Sequence, residues 1–345
     1  MILIKKLIIL IVFILSIILS ISINTKSKTL NDYSKASILM DIDNNRILYE
    51  NNIHEKQLTA SIAKIMTCIV AIENGNLEKL CIVTEETTKQ IGSSIYLQLG
   101  DKIYLKDLLY GLMLRSGNDA AYLISINVCD SVDEFVLLMN KTAKKLSMNN
   151  SFFENPSGLD ENTKCYSTAY DMALLMAYAM KNELFKEITS STSYTFKTYN
   201  DKKITFINKH KLIKSNEYCI SGKTGYTELA KRTLVSCFSK NNINVVVVTF
   251  NCGNDWELHE NLFDYAINNY ECKTFINKGI LDYNFIKYDI TPIIYEDISY
   301  IAKKNEKLTC EIELLNKINN EQIIGIVKIY LNNQVVKETF IYRYY

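Results

Sequence analysis

Ser61 and Lys64 stand three residues apart at the head of an apolar run, Thr59-Ala60-Ser61-Ile62-Ala63-Lys64-Ile65-Met66-Thr67. On a helix that spacing stacks two side chains on one face, so backbone geometry alone brings an alcohol to an amine. If the face is dry, desolvation disfavours the ammonium and leaves Lys64 as a neutral base beside a nucleophile. A helix N-terminus at Ser61 also offers unpaired N–H groups to developing negative charge. Two more groups follow in chain order, Ser116-Gly117-Asn118 and Lys223-Thr224-Gly225.

Taken singly, each group has an ordinary reading. A lone Ser-x-x-Lys is usually a surface helix with a capping serine. Ser116-Gly117-Asn118 serves as a turn and cap between helices. Gly222-Lys223-Thr224 suggests a phosphate loop, but that loop needs a glycine five residues before Gly222, and Glu217 stands there. The combination, in this order, is far more specific than its parts. Other chemistries lack their residues. Among three histidines, His54, His210 and His259, none completes a zinc-binding His-Glu-x-x-His pattern, and no Gly-x-Ser-x-Gly elbow or nominable carboxylate pair occurs.

The positioning elements must come from a chain of 345 residues, enough to bury a sizeable core in one large domain or two ordinary ones. Its net charge of +1 argues against a dedicated nucleic-acid surface. Lys5 and Lys6 precede an apolar run from Leu7 to Ile23, which reads as an export segment over residues 1–27, either a signal peptide or an anchor. The remainder is expected outside the cytoplasmic membrane. Nine cysteines without a Cys-x-x-Cys pair suggest neither a disulfide framework nor a zinc site, and Cys68 and Cys237 read as buried small hydrophobes.

Ala36–Asp41 and Arg46–Glu50 flank Asp43-Asn44-Asn45 as a hairpin leading to the Ser61 segment. Apolar residues at 105, 108, 109, 112 and 113 predict a helix that breaks at Arg115, so Ser116 and Asn118 fall in a tight interhelical turn. Capping boxes at Ser131 and Thr168 open two more helices. Thr195–Ile207 is β-like, Thr233–Ser239 and Val245–Phe250 form a strand pair after the Lys223 strand, and a helix spans about Trp256–Asn269. Tyr96, Tyr104 and Tyr110 read as core or cleft wall. Beyond a boundary near 272–280 only strand-like runs remain: Leu308–Leu314, Ile323–Leu331 and Val335–Tyr342.

Ser-x-x-Lys, Ser-x-Asn and Lys-Thr-Gly together are the signature of penicillin-binding proteins and class A β-lactamases. The likeness extends beyond these motifs. Leu109–Ala121, Ser61–Thr67, Asn155-Pro156-Ser157-Gly158-Leu159-Asp160, Tyr166–Asp171 and Gly222–Thr227 resemble the low-molecular-mass D-alanyl-D-alanine carboxypeptidases, peptidase family S11, over roughly residues 30 to 272. The resemblance implies an α/β (α+β) penicillin-binding-protein/β-lactamase-like transpeptidase fold. It has an antiparallel sheet, flanking helices and an all-helical subregion. A catalytic domain at 28–272 would precede a small β-rich domain at 278–345, where the likeness is looser.

The same resemblance implies the chemistry. Ser61 would attack a peptidoglycan stem peptide ending in D-Ala-D-Ala, with Lys64 as base, Ser116 as proton relay and Asn118 orienting Lys64 and substrate. Lys223 and Thr224 would hold the terminal carboxylate on the strand through Gly225, and the N–H groups of Ser61 and Tyr226 would form the oxyanion hole. β-Lactams would acylate Ser61, and no metal or organic cofactor is called for. Two departures stand out. Cys165 occupies a position where relatives commonly carry histidine, and Thr339–Tyr345 is strand-like where many members have an amphipathic anchor helix. Membrane contact would then fall to the N-terminal segment. A β-lactamase-like hydrolase is the alternative enzyme, with Glu154 and Glu161 near the cleft in sequence but in no recognisable deacylation loop. A non-catalytic wall-binding protein with a degenerate cleft is the alternative class.

Overall fold

Val245-Val246-Val247-Val248 is a run of β-branched residues without a polar interruption, which suits a strand covered on both faces. It lies at the centre of a five-stranded antiparallel sheet in the computed structural model, which describes residues 30–160, 165–199, 201–281, 291–315 and 322–344. The N-terminal apolar segment and Glu161 lie outside the described residues. The sheet strands are β1 (Ala36–Asp41), β2 (Ile47–Asn51), β3 (Cys219–Thr227), β4 (Lys231–Lys240) and β5 (Ile243–Phe250), in the spatial order β2-β1-β5-β4-β3. Ala36 pairs with Phe250 and Asp41 with Val245. Across the other edge of β4, Val235 pairs with Lys223 and Thr233 with Gly225. The Lys-Thr-Gly strand is therefore an edge strand.

Alternation on β5 divides the faces. Val246 and Val248 join the main core with the helices α1 (Lys64–Asn74), α2 (Leu105–Tyr110), α3 (Asn118–Val128), α4 (Val132–Lys145), α5 (Ala169–Ala179) and α6 (Glu183–Ser190). Thr249, one residue on, turns the other way and bonds His259 of α7 (Asp255–Asn269). α1 is the central helix: every residue from Lys64 to Ala71 is buried, and it packs against α3, α4, α5 and α6. An amine on that helix has no route to bulk water along its own element.

The capping predictions hold in detail. Ser131 Oγ accepts from Glu134 N at 3.1 Å, and Thr168 Oγ1 from Asp171 N at 3.0 Å. Each fills one of the donors a helix start leaves open, worth about 1 kcal/mol. Cys68 and Cys237 are fully buried, as their apolar surroundings predict. The tyrosine expectation holds only for Tyr110: Tyr96 is 78% exposed and Tyr104 39% exposed. Tyr104 ends the two-stranded pairing of Leu80–Ile82 with Lys102–Tyr104, a piece too small to cover its outer face, and Tyr96 lies in the loop before it, its N–H on Ser94 Oγ.

The C-terminal residues form a second five-stranded sheet with its own core around Ile294, Val327, Ile329 and Ile341. Strand Tyr270–Ile276 leaves α7 and pairs with Ile298–Lys303 of the C-terminal β-rich part. Arg46, in the β1–β2 turn, spans the same junction. Its guanidinium bonds Ile301 O at 2.8 Å and both oxygens of Glu306 at 2.8–2.9 Å, between the rings of Tyr270 and Tyr300.

Candidate active site

The segment Ala60–Ala63 is a 3₁₀ turn, and α1 begins at Lys64. The sequence predicts Ser61 at the start of an α-helix, and the tighter turn improves the stacking. At three residues per turn, positions i and i+3 eclipse. Ser61 Oγ lies 3.0 Å from Lys64 Nζ. The chain enters this turn through Ala60 at φ 46°, a left-handed conformation that costs a non-glycine residue about 1–3 kcal/mol. Thr233 Oγ1 of β4 holds the preceding carbonyl, Thr59 O, at 3.1 Å.

Ser116 and Asn118 arrive from the opposite wall. The helix ahead of them loosens into a π-turn over Gly111–Arg115, and Ser116 ends it in the left-handed region at φ 65°. α3 then starts at Asn118. The Asn118 amide is oriented by its far end: Nδ2 donates to Ile91 O at 2.6 Å, so Oδ1 is the atom that accepts from Lys64 Nζ at 2.7 Å. A third acceptor, Ser157 O, lies 2.6 Å from the same nitrogen.

β3 closes the site. Gly225 is required by close approach: a Cβ there would come within 2.3 Å of Thr233 Oγ1 and 3.0 Å of Ser61 N. The strand thus crosses directly over the nucleophile's amide. Lys223 is 2% exposed, and its Nζ donates to Ser116 Oγ at 2.9 Å and Thr224 O at 2.7 Å. The cleft in front of Ser61 has a volume of about 350 Å³ and is lined also by Ser116, Thr224, Gly225, Tyr226 and Arg232. All eight residues singled out from the sequence therefore converge on one place.

Burial dominates the electrostatics. Lys64 is wholly buried, which lowers its pKa from 10.5 to about 7. The charge of Lys209 adds to that shift, while Asp119 and Cys165 oppose it. Lys223 is held well below its ordinary value by burial first, then by Lys64 and Lys209. Near neutral pH the nucleophile thus has an amine with an available lone pair at hydrogen-bonding distance. The geometry suits acyl transfer by a serine, with Lys64 taking the proton.

Four contributors escape motif reading. Ser157 acts through a backbone carbonyl, which no side-chain pattern marks. Asp119 is buried and accepts from Ser94 Oγ, Ile95 N and Leu97 N at 2.6–3.2 Å, clamping the 94–97 loop to the Ser116–Asn118 turn. Its signal was an acid directly after a helix-opening asparagine. Lys209 reaches the cleft from a linker and bonds Ser93 Oγ at 3.4 Å. Arg232 pairs with Asp255 at 2.7 Å and lies over the Trp256 ring. Nothing in their spacing announces this group. Cys165 is buried behind the cleft, where its Sγ accepts from Glu154 N at 3.2 Å.

Comparison with known proteins bears on what this site is. The profile of the D-alanyl-D-alanine carboxypeptidase family, peptidase S11, matches residues 23–254. The chain is 31% identical over 294 residues to D-alanyl-D-alanine carboxypeptidase DacF of Bacillus subtilis, covering 80% of this chain and 74% of that one. Penicillin binding protein 5 from Haemophilus influenzae superposes with a TM-score of 0.74 at 23% identity, covering 91% of this chain and 97% of that structure. D-alanyl-D-alanine carboxypeptidase from Mycobacterium tuberculosis H37Rv gives 0.66 at 26% identity, over 71% and 95% of the respective chains. The fold class expected from the sequence is thereby shown, and the chain belongs to the peptidase S11 family of D-alanyl-D-alanine carboxypeptidases.

Proposed function

We propose that this protein removes the C-terminal D-alanine from peptidoglycan stem peptides through an acyl-enzyme on Ser61. The observation that carries the mechanism is Lys64 Nζ, buried and 3.0 Å from Ser61 Oγ. The stem peptide lies along the free edge of β3 as an added strand, its backbone pairing in place of a neighbouring strand. Ser61 Oγ attacks the penultimate carbonyl while Lys64 takes its proton. The N–H groups of Ser61 and Tyr226 receive the developing oxyanion, each such donor being worth roughly 3–4 kcal/mol. Ser116, held by Lys223 at 2.9 Å, passes its hydroxyl proton to the departing amine and takes the proton carried by Lys64 in its place. Water then hydrolyses the ester.

Lys223 is turned inward onto Ser116, so its N–H serves the relay, and the substrate's terminal carboxylate meets Thr224 and Arg232 instead. Asp255 fixes the plane of the Arg232 guanidinium through Nε at 3.1 Å and Nη2 at 2.7 Å. Arg232→Gln is expected to raise KM for a D-Ala-D-Ala peptide by about tenfold or more, with kcat per active site within threefold, the size of one lost charge-assisted hydrogen bond. An unchanged KM removes Arg232 from substrate binding. The activity itself is tested with a synthetic stem pentapeptide and benzylpenicillin. One equivalent of D-alanine should leave the peptide, and the penicilloyl adduct should persist for many minutes. Turnover of penicillin within seconds, without D-alanine release, would favour the β-lactamase reading.

The family's reaction uses cell-wall peptides, so the site of action is placed outside the cytoplasmic membrane. The basic-then-apolar segment Lys5–Ile23 is the part that directs export or holds the protein to the outer face of the cytoplasmic membrane. Among the described residues no helix is long and apolar enough to cross a membrane.

A further inference from the structure

The turn Asn155-Pro156-Ser157-Gly158 is built around one side chain. Asn155 Oδ1 accepts from Ser157 N at 3.1 Å, Ser157 Oγ at 2.9 Å and Gly158 N at 2.7 Å, while its Nδ2 donates to Leu159 O at 2.8 Å. Thr67 Oγ1, one helical turn beyond Lys64, fastens Pro156 O at 2.6 Å. Gly158 sits at φ 74° so close to the Ser61 turn that a Cβ would meet Ala60 O at 1.9 Å. Asp160 accepts from Thr227 Oγ1 at the end of β3. The turn is thus tied to α1, to the nucleophile's turn and to the substrate strand. What it delivers to the cleft is the Ser157 carbonyl, 2.6 Å from Lys64 Nζ.

A neutral amine has two N–H bonds and one lone pair. Lys64 Nζ has three close partners: Asn118 Oδ1 at 2.7 Å, Ser157 O at 2.6 Å and Ser61 Oγ at 3.0 Å. The first two are pure acceptors, and each must be met by an N–H. The lone pair is left for the one partner that carries a proton to give, Ser61 Oγ.

We infer that Asn155 is a positioning residue for acylation, setting the Ser157 carbonyl so that it and Asn118 Oδ1 consume both Lys64 N–H bonds and aim the lone pair at Ser61. The inference rests on Lys64 being the base. In the step itself the Oγ–H bond breaks and the proton bonds to the Lys64 lone pair. The oxygen electron pair forms the Oγ–C bond, and the carbonyl π pair moves to the substrate oxygen. The ammonium that results keeps its charge-assisted bonds to Ser157 O and Asn118 Oδ1, so the same carbonyl that aims the base also stabilises its protonated form. The Asn-Pro-Ser-Gly stretch thereby serves the chemistry as well as the turn.

The test is the pH dependence of benzylpenicillin acylation by the full chain carrying Asn155→Ala, normalised to active sites titrated by bound penicillin. The plateau rate is expected to fall about tenfold to a hundredfold, as for a lost hydrogen bond to a charged group. Reversible affinity before acylation should stay within threefold. The midpoint of the acid limb should move to lower pH, because the ammonium loses an acceptor while Lys209, Lys223, Asp119 and Cys165 around it are unchanged. A purely structural role would reduce the titre of active sites and leave the rate and midpoint of the surviving ones as in the parent. That result overturns the inference. Thr67→Val, a near-isosteric change that releases Pro156 O, should shift both quantities in the same directions by about threefold to tenfold, and serves if Asn155→Ala does not fold. Lys64→Arg run beside them separates the two levels of argument. If it acylates normally, the base reading falls and takes this inference with it. If it is dead while Asn155→Ala and Thr67→Val match the parent, only this inference falls.

Discussion

Ser61→Ala is expected to abolish penicilloylation and to lower D-alanine release by at least about 10⁴-fold, since acyl transfer has no other nucleophile to use. The change removes one oxygen from a half-exposed position on a 3₁₀ turn. Lys64 keeps two of its three partners, Asn118 Oδ1 and Ser157 O. Folding stability should therefore change by no more than about 1 kcal/mol. The pairing of lost chemistry with retained fold is what distinguishes a nucleophile from a packing residue. Intact-protein mass spectrometry after penicillin treatment, together with thermal unfolding, reads both. A variant that still releases D-alanine at near-normal rate would end the assignment of Ser61.

Lys64→Arg is expected to lose about 10²–10⁴-fold in acylation, the range that general-base catalysis contributes. Arginine keeps the positive charge but does not deprotonate in proteins, so it can stabilise an anion and cannot accept a proton. The comparison is therefore sharper than removal of the side chain. If the lysine served only as a fixed positive charge for the oxyanion, the arginine variant would retain much of its rate. Its bulk in a fully buried position is a complication, met by measuring the rate per titratable site and by a second variant, Lys64→Met. The methionine matches the length without charge or donor, and leaves Asn118 Oδ1 and Ser157 O short of a partner. Both variants should acylate slowly on the base account, whereas Lys64→Met alone should fail if charge is what matters.

The legible parts of this fold are those whose physics is local. Period-2 and period-3.6 patterns located β1, β2, β4, β5 and α7 to within a few residues, and the capping boxes at Ser131 and Thr168 are present as hydrogen bonds. The motif residues were legible because nucleophile and base lie on one turn and need no long-range information to meet. What stayed hidden depends on contacts far apart in sequence or on backbone atoms. Ser157 O reaches Lys64 across 93 residues, and a carbonyl has no signature of its own. The inward turn of Lys223 follows from burial of β3 against Ser116, a contact 107 residues long. Arg232 and Asp255 are paired by adjacency of β4 and α7, which alternation along either element does not reveal. Tyr96 and Tyr104 depart from expectation because aromatic character predicts burial on average, while Tyr104 ends a two-stranded pairing with Leu80–Ile82 and Tyr96 lies exposed in a loop.

The central claim is an amine held neutral by burial and aimed at an alcohol, and its most direct measurement is the pH profile of Ser61 acylation in the unaltered protein. The folded-state pKa of Lys64 lies near 7 against an ordinary 10.5, so the reactive amine is the minor form at pH 5 and the dominant form at pH 8.5. The pseudo-first-order rate with benzylpenicillin should rise tenfold per pH unit in the acid range and level off above a midpoint near 7. That limb should vanish in Lys64→Met. A rate that keeps climbing toward pH 10, as for a solvated lysine, or one that is flat from pH 5 to 9, would contradict the account.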